Sequence, residues 1–229
     1  MCSNGAAEIP PGHDLGHSPA MKLLVLGASG GTGRNVVEQA LAANHDVLVL
    51  ARKPESIKLV DHLAVQKGDV LDADSVASAV QGCDAVLSAF GPASNKEPGT
   101  LMSVGVANIV AGCTKHGVKR FVFESGLMCS DGTGLGWFSR LGVKIFGGIY
   151  HKLRDDKRIA EREIRASSLD WIIVRPPVLN DGPALGTYKH GVDAPVSGAK
   201  SLPHADVAAF ILRCATDDSL VKTVQAIGR

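Results

Sequence analysis

Three glycines three residues apart, Gly27, Gly30 and Gly33, close a short apolar run and open a helical pattern. Glycine has no Cβ, so such a turn can tighten and admit a diphosphate against bare backbone N–H groups. At the start of a helix the dipole favours that anion further. A glycine triplet alone is weak evidence; at the first strand-to-helix turn of a chain it points to a dinucleotide. The second apolar strand ends in Arg52-Lys53, where an NAD enzyme usually places Asp or Glu on the ribose hydroxyls. These cations suit a 2′-phosphate through charge-assisted hydrogen bonds, so NADP(H) is the expected cofactor. Asp46 opens that strand, and five further residues at about 3.3 Å each hold it roughly 16 Å from the ligand edge. Asp69, after the third strand, either accepts from the adenine amine or caps the next turn. Ala89-Phe90-Gly91 closes the fourth strand beside the place where ligands bind in open α/β sheets.

A second group of residues bears on the reaction. Ser125 follows the fifth strand, where its hydroxyl would orient substrate or the nicotinamide carboxamide; a turn cap is the plainer reading. The local text Phe123-Glu124-Ser125-Gly126-Leu127 lacks the G-x-S-x-G of a hydrolase nucleophile. Leu153, Lys157, Ala160 and Ile164 form one helical stripe, so the Lys157 amine faces the core and must find an anion, a carbonyl, a ligand or water. It is expected to face ligand or to pair with Asp155, Asp156 or Glu161. Pro176 and Pro177 stop the sixth strand, and the backbone of 175–178 is a candidate partner for the nicotinamide amide. His151, His190 and His204 are possible proton carriers, though surface or core histidines are commoner. Cys129 is the one thiol expected to react, with Cys83, Cys113 and Cys214 as small apolar fillers.

These residues need elements to hold them. Short apolar runs alternate with helical patterns from Met21 onward: strands at 22–26, 46–51, 63–66, 85–90, 120–124, 171–174 and 224–227, with helices between. Asp72 reads as a helix N-cap, and Gly82 and Gly117 as helix stops. That alternation predicts one α/β domain over 21–229, a Rossmann-type doubly wound parallel sheet with helices on both faces. Residues 127–150 read as Gly-rich and irregular and 179–203 as mobile; with Leu127, Met128, Trp137, Phe138 and Phe146 they are expected to flank an acceptor pocket. Residues 1–20 read as a disordered tail, in which His13 and His17 are not expected to hold a metal.

Composition narrows the field. With 229 residues, 45% hydrophobic and 21% charged, the chain is of ordinary globular make-up. A formal charge of +1 argues against a nucleic-acid or anionic-lipid surface. No apolar run of about 18 residues is present, so no membrane span is expected. Nor does a basic start precede an apolar stretch as in a secretory signal. Five cysteines without a C-x-x-C pair suit neither a disulfide scaffold nor a structural zinc, and a reducing cytoplasm is expected.

GASGGTG at 27–33, LAR at 50–52, GDV at 68–70, HGVKRFVFES at 116–125, DDK at 155–157, VRPP at 174–177 and FILRCATDD at 210–218 complete the pattern. With them the chain resembles an atypical short-chain dehydrogenase/reductase of the NmrA-like, NAD(P)H-binding type, in its flavin reductase/biliverdin-IXβ reductase branch. The resemblance covers about residues 21–218. It implies NADPH-dependent reduction of a flavin, quinone or tetrapyrrole-like ring, by a monomer. It also implies cofactor contacts at Gly27, Ser29, Gly30, Gly31, Thr32 and Gly33 in the turn, and at Arg52, Asp69 and Val70 beside it. Ala89, Phe90, Gly91, Pro176 and Pro177 complete the set. Ordinary members of the superfamily carry Tyr-x-x-x-Lys, but Leu153 stands four residues before Lys157, so ketone reduction through a phenol acid is not expected. The flavin reductase branch lacks that Tyr too and has His at the Lys157 position. A reduced flavin is a delocalised anion that water can protonate, so no built-in acid is expected. The alternative is an NmrA-like redox sensor that binds NADP(H) without turnover. A nucleotide-sugar epimerase would need an acid–base pair, and none is evident in the sequence.

Overall fold

The computed structural model describes residues 7–8, 19–57, 60–132, 137–192 and 194–229. Lys22–Leu26 (β2) is the central strand, and Leu23, Leu24, Val25 and Leu26 are wholly buried, as a strand covered on both faces must be. Asp46–Ala51 (β3) and Leu63–Lys67 (β4) extend the sheet on one side of it. Ala85–Ser88 (β5), Arg120–Glu124 (β6), Asp170–Arg175 (β7) and Thr223–Gly228 (β11) extend it on the other. All of these pairings are parallel. The chain leaves β2 first toward β3 and β4, then returns to place β5 on β2's opposite side. That reversal opens a crevice at the carboxyl ends of β2 and β5, the switch point of a doubly wound Rossmann fold.

Two helical layers cover the sheet. Gly31–Ala42 (α1) and His204–Cys214 (α6) pack together over one face, around Val36, Ala40, Phe210 and Ile211. Ala73–Val80 (α2), Leu101–His116 (α3) and His151–Ala166 (α5) cover the other, around Val76, Val106, Ile109, Leu153 and Ile164. The punctuation follows local chemistry. Asp72 accepts from Asp74 N at the start of α2, and Gly117 ends α3 in the left-handed region at φ 72°. The first turn of α3 is held from a distance: the buried Asp156 of α5 accepts from Met102 N (2.8 Å) and Ser103 N (3.1 Å). This satisfies two N–H groups that have no partner within their own helix.

Three expectations need correction. Residues 127–150 contain a helix, Trp137–Ile149 (α4), preceded by a short 3₁₀ turn at Leu127–Cys129. Trp137, Leu141, Ile145 and Ile149 recur every four residues, a helical spacing that Gly142, Gly147 and Gly148 mask in the sequence, and in the structure all four side chains are exposed. The 179–203 segment carries three short strands: Leu179–Asn180 (β8) pairs with Leu202–Pro203 (β10), and Lys189–Gly191 (β9) runs antiparallel to β11. The sheet is therefore parallel in its body and antiparallel at one edge. There Ala7–Glu8 (β1) pairs with β9, so the expectation of an unstructured tail does not hold at that point. The other residues of 1–18, with His13 and His17, lie outside the described residues, as does the Phe138 side chain. No helix among the described residues is long and apolar enough to cross a membrane.

Candidate functional site: two cavities on the carboxyl edge of the sheet

The turn from β2 into α1 is built by close approach. Gly27 has φ 89°, and a Cβ there would stand 2.6 Å from the backbone of Ala89 and Phe90. A Cβ on Gly33 would meet the Gly27 carbonyl at 2.1 Å. Gly30 N donates to Gly27 O at 2.9 Å, which folds the loop back and aims the first N–H groups of α1 outward. A groove of about 580 Å³ opens above this turn. Gly27, Ser29 and Gly30 form one wall; Arg52, Lys53 and Ser56 stand at one end, Asp69 and Val70 nearby, and Ala89, Phe90 and Gly91 opposite. Arg52 and Lys53 are exposed and make no ion pair with the described residues, so both charges are available to a ligand. Asp69 Oδ1 accepts from Leu71 N (3.0 Å), so the carboxylate caps the turn while also lining the groove. Asp46 pairs with His62 at the far end of β3, away from the groove. A bare-backbone cradle that a Cβ would fill, with two free cations at the ribose end, fits a phosphorylated dinucleotide. Ser88 Oγ, at the carboxyl end of β5, is a buried hydroxyl with no partner among the described residues, as happens where a polar neighbour belongs.

Past β5 the same edge opens into a second cavity, of about 520 Å³. Asn95, Glu124, Ser125 and Lys157 are among its polar residues; Leu127, Met128, Phe146, Pro176, Pro177 and Val178 supply much of its apolar wall. The expected flanking segments 127–150 and 179–203 both reach it, through Phe146 and Ala199 among others. Lys157 faces this cavity and donates to the Ser125 carbonyl at 2.5 Å. None of its three expected carboxylate partners takes it: Asp155 pairs with Arg154, Asp156 caps α3, and Glu161 is engaged by Arg175. The Ser125 hydroxyl is not turned to the cavity as expected. It donates to the buried Glu161 Oε1 at 2.7 Å, beside Arg175, whose Nε and NH2 reach both carboxylate oxygens at 3.0 and 2.5 Å. A buried ion pair needs its remaining lone pairs satisfied, and Ser125 meets that need. The Pro176 carbonyl accepts from Leu127 N and the Val178 carbonyl from Leu202 N, which fixes the backbone of 175–178 and leaves each oxygen a second lone pair.

Glu124, absent from the sequence expectations, is the last residue of β6. Burial pushes its carboxyl up to about 7, against the downward pulls of the Lys157 ammonium and the Thr32 hydroxyl, which donates to it at 3.2 Å. The signal was present in the text Arg-Phe-Val-Phe-Glu: a carboxylate terminating a buried strand at the ligand-binding edge has left water without an obvious partner. Of the three histidines, only His204 touches this region, with Nδ1 2.8 Å from Thr32 Oγ1. His151 is exposed against Gly148 O, and His190 is buried against Gln225 and the Phe210 ring. Cys129 is buried, and burial pushes its thiol up, so the expected reactivity is lost. Cys83, Cys113 and Cys214 are buried as fillers. No group of three or more potential metal ligands occurs among the described residues.

A family model described as NAD(P)H-binding matches residues 27–218. The UPF0659 protein YMR090W of Saccharomyces cerevisiae is 29% identical over 205 residues, covering 84% of this chain and 86% of that one. ChuY of Escherichia coli O157:H7, described as an anaerobilin reductase, superposes with a TM-score of 0.72 at 24% identity, over 90% of this chain and 96% of ChuY. A short-chain dehydrogenase/reductase of Veillonella parvula, solved in complex with NADP, gives 0.74 at 16% identity, over 91% and 94% of the two chains. At these identities the two structural likenesses establish the fold.

Proposed function

The chain belongs to the NAD(P)H-binding family, and from that premise we propose that it is an NADPH-dependent reductase of a planar conjugated acceptor, a flavin, quinone or linear tetrapyrrole. The observation that carries this reading is the pair of cavities side by side on one sheet edge, the first a phosphate cradle and the second an apolar slot with a lysine in it. ChuY's description as an anaerobilin reductase supports the acceptor class.

Gly27, Ser29, Gly30, Gly31, Thr32 and Gly33 would hold the diphosphate on the amides of the first α1 turn, and Arg52 and Lys53 the 2′-phosphate. Asp69 and Val70 would border the adenine, with Ala89, Phe90 and Gly91 along the nicotinamide ribose. Bound there, the reduced nicotinamide supplies a hydride. Pro176, Pro177 and Phe146 present flat apolar surface to a ring and exclude water from it. Lys157 would stabilise the negative charge that the acceptor gains with the hydride, or hold its carboxylate side arms, and Ser125, through its carbonyl, fixes where that amine stands. Holding the two reactants in contact is the main catalytic contribution of such a site.

Mixing the protein with NADPH and, separately, FMN, a soluble quinone and biliverdin, and following nicotinamide absorbance, tests the reading. Oxidation above the protein-free rate with at least one acceptor is expected. Tight NADPH binding without oxidation by any of them would replace the enzyme with a sensor.

A further inference from the structure

The proton that must accompany the hydride has a source in the structure. Glu124 lines the acceptor cavity, and its carboxyl is reached from behind by a chain of hydrogen bonds: His204 Nδ1 to Thr32 Oγ1 at 2.8 Å, and Thr32 Oγ1 to Glu124 Oε1 at 3.2 Å. Thr32 is buried, whereas His204 is partly exposed at the head of α6. The ring packs against the cradle, since a Cβ on Gly31 would lie 2.6 Å from it. A hydroxyl can accept and donate at once, so Thr32 connects a solvent-reaching imidazole to the inner side of a half-buried carboxyl without itself changing charge.

We propose that Glu124 is the acid that protonates the acceptor as it is reduced, and that it regains its proton from solvent through Thr32 and His204. This rests on the reductase reading. The acceptor gains a hydride from the reduced dinucleotide and a proton from Glu124 Oε. The dinucleotide leaves oxidised, and the Glu124 carboxylate takes a proton relayed from water, so one hydride and one proton are transferred per turnover. Glu124 is the catalytic group; Thr32 and His204 are relay and positioning residues.

The electrostatics agree with this assignment. Burial keeps the carboxyl protonated up to neutrality, which suits an acid working near that pH. Burial also lowers His204, helped by Arg34 and opposed by Asp181, so the imidazole is neutral and can pass a proton along without holding it. Among the described residues, the titratable groups facing Glu124 are the Lys157 ammonium from α5 and, behind Thr32, this neutral histidine from α6. Lys157 keeps the carboxylate form within reach after the proton leaves.

The test combines coenzyme-free and catalytic readouts. In protein labelled with ¹³C at glutamate carboxyls and free of coenzyme, one resonance should titrate near neutrality, vanish in Glu124→Gln, move to higher pH in Thr32→Val and return in Thr32→Ser. In single turnovers of NADPH with biliverdin, the wild-type rate should fall as pH rises through that midpoint and carry a solvent isotope effect. Glu124→Gln should be slower by about 100-fold, with both the pH limb and the isotope effect gone. His204→Gln should lower steady-state turnover more than the single-turnover rate. With FMN, whose reduced anion needs no obligatory proton, Glu124→Gln should lose less than tenfold. A Glu124→Gln enzyme that keeps the limb and the isotope effect, or the absence of any glutamate titrating near neutrality, overturns the assignment while leaving a reductase. Wild-type protein that oxidises NADPH with neither probe overturns the reductase reading itself, and with it the recipient of the proton. Should Glu124→Gln fail to fold, the displaced midpoint and its rescue in the Thr32 pair decide the question alone.

Discussion

Replacing Arg52 by alanine tests cofactor choice where the choice is made. A charge-assisted hydrogen bond is worth about 1.5–3 kcal/mol, and at this exposed site the lower figure applies. Arg52→Ala should therefore reduce the kcat/KM preference for NADPH over NADH about tenfold, and an unchanged ratio would move the 2′-phosphate elsewhere. Glu124 makes a prediction about stability as well. Its folded carboxyl titrates at about 7 against an ordinary 4.5. Between those values the native state holds the proton more firmly than the unfolded chain, so raising the pH across that interval removes stability. Urea unfolding at pH values bracketing it should show the wild type losing about 2 kcal/mol relative to Glu124→Gln, a figure reduced from the full linkage value because the side chain is partly exposed. The sequence displayed Arg52, Lys53 and Asp69 because strand ends are legible. It did not display the Thr32–Glu124–His204 contact, whose members are 92 and 172 residues from Thr32 and meet only when the sheet is assembled.

At the level of elements, β2, β3 and β6 occupy the expected residues because continuous apolar runs have few other homes, whereas the wholly buried β5 ends at Ser88, two residues short of the expected Phe90. α4 was hidden by its glycines and β8 to β10 by their length of two or three residues, too short to show a period. The cap on α3 was equally invisible, because its acceptor is on another helix. Asp156→Ala should remove two hydrogen bonds to buried or half-buried N–H groups and cost about 2 kcal/mol in denaturant unfolding. Affinity for NADPH, read by fluorescence titration, should stay within about twofold, since Asp156 lies outside the coenzyme groove.

Taken whole, the molecule places its coenzyme groove and the second cavity along one edge of a single sheet, so ligand occupancy and global stability are coupled. NADPH at about 100 times its dissociation constant should add about 2.7 kcal/mol and raise Tm, whereas NADH at the same concentration should raise it less. The doubly wound order was legible because strand–helix alternation permits few other topologies; the antiparallel edge was not, because nothing in the alternation calls for it. Helix α5 offers a lesson for redesign. Asp156 ties it to α3 and Glu161 ties it to β7 and Ser125, with Lys157 between the two anchors. Much of the second cavity's wall comes instead from other elements, through Gly142, Phe146, Val178 and Ala199. Libraries seeking new substrates should diversify those four positions and keep Asp156 and Glu161, because the wall can then change while the two anchors that hold the helix stay in place.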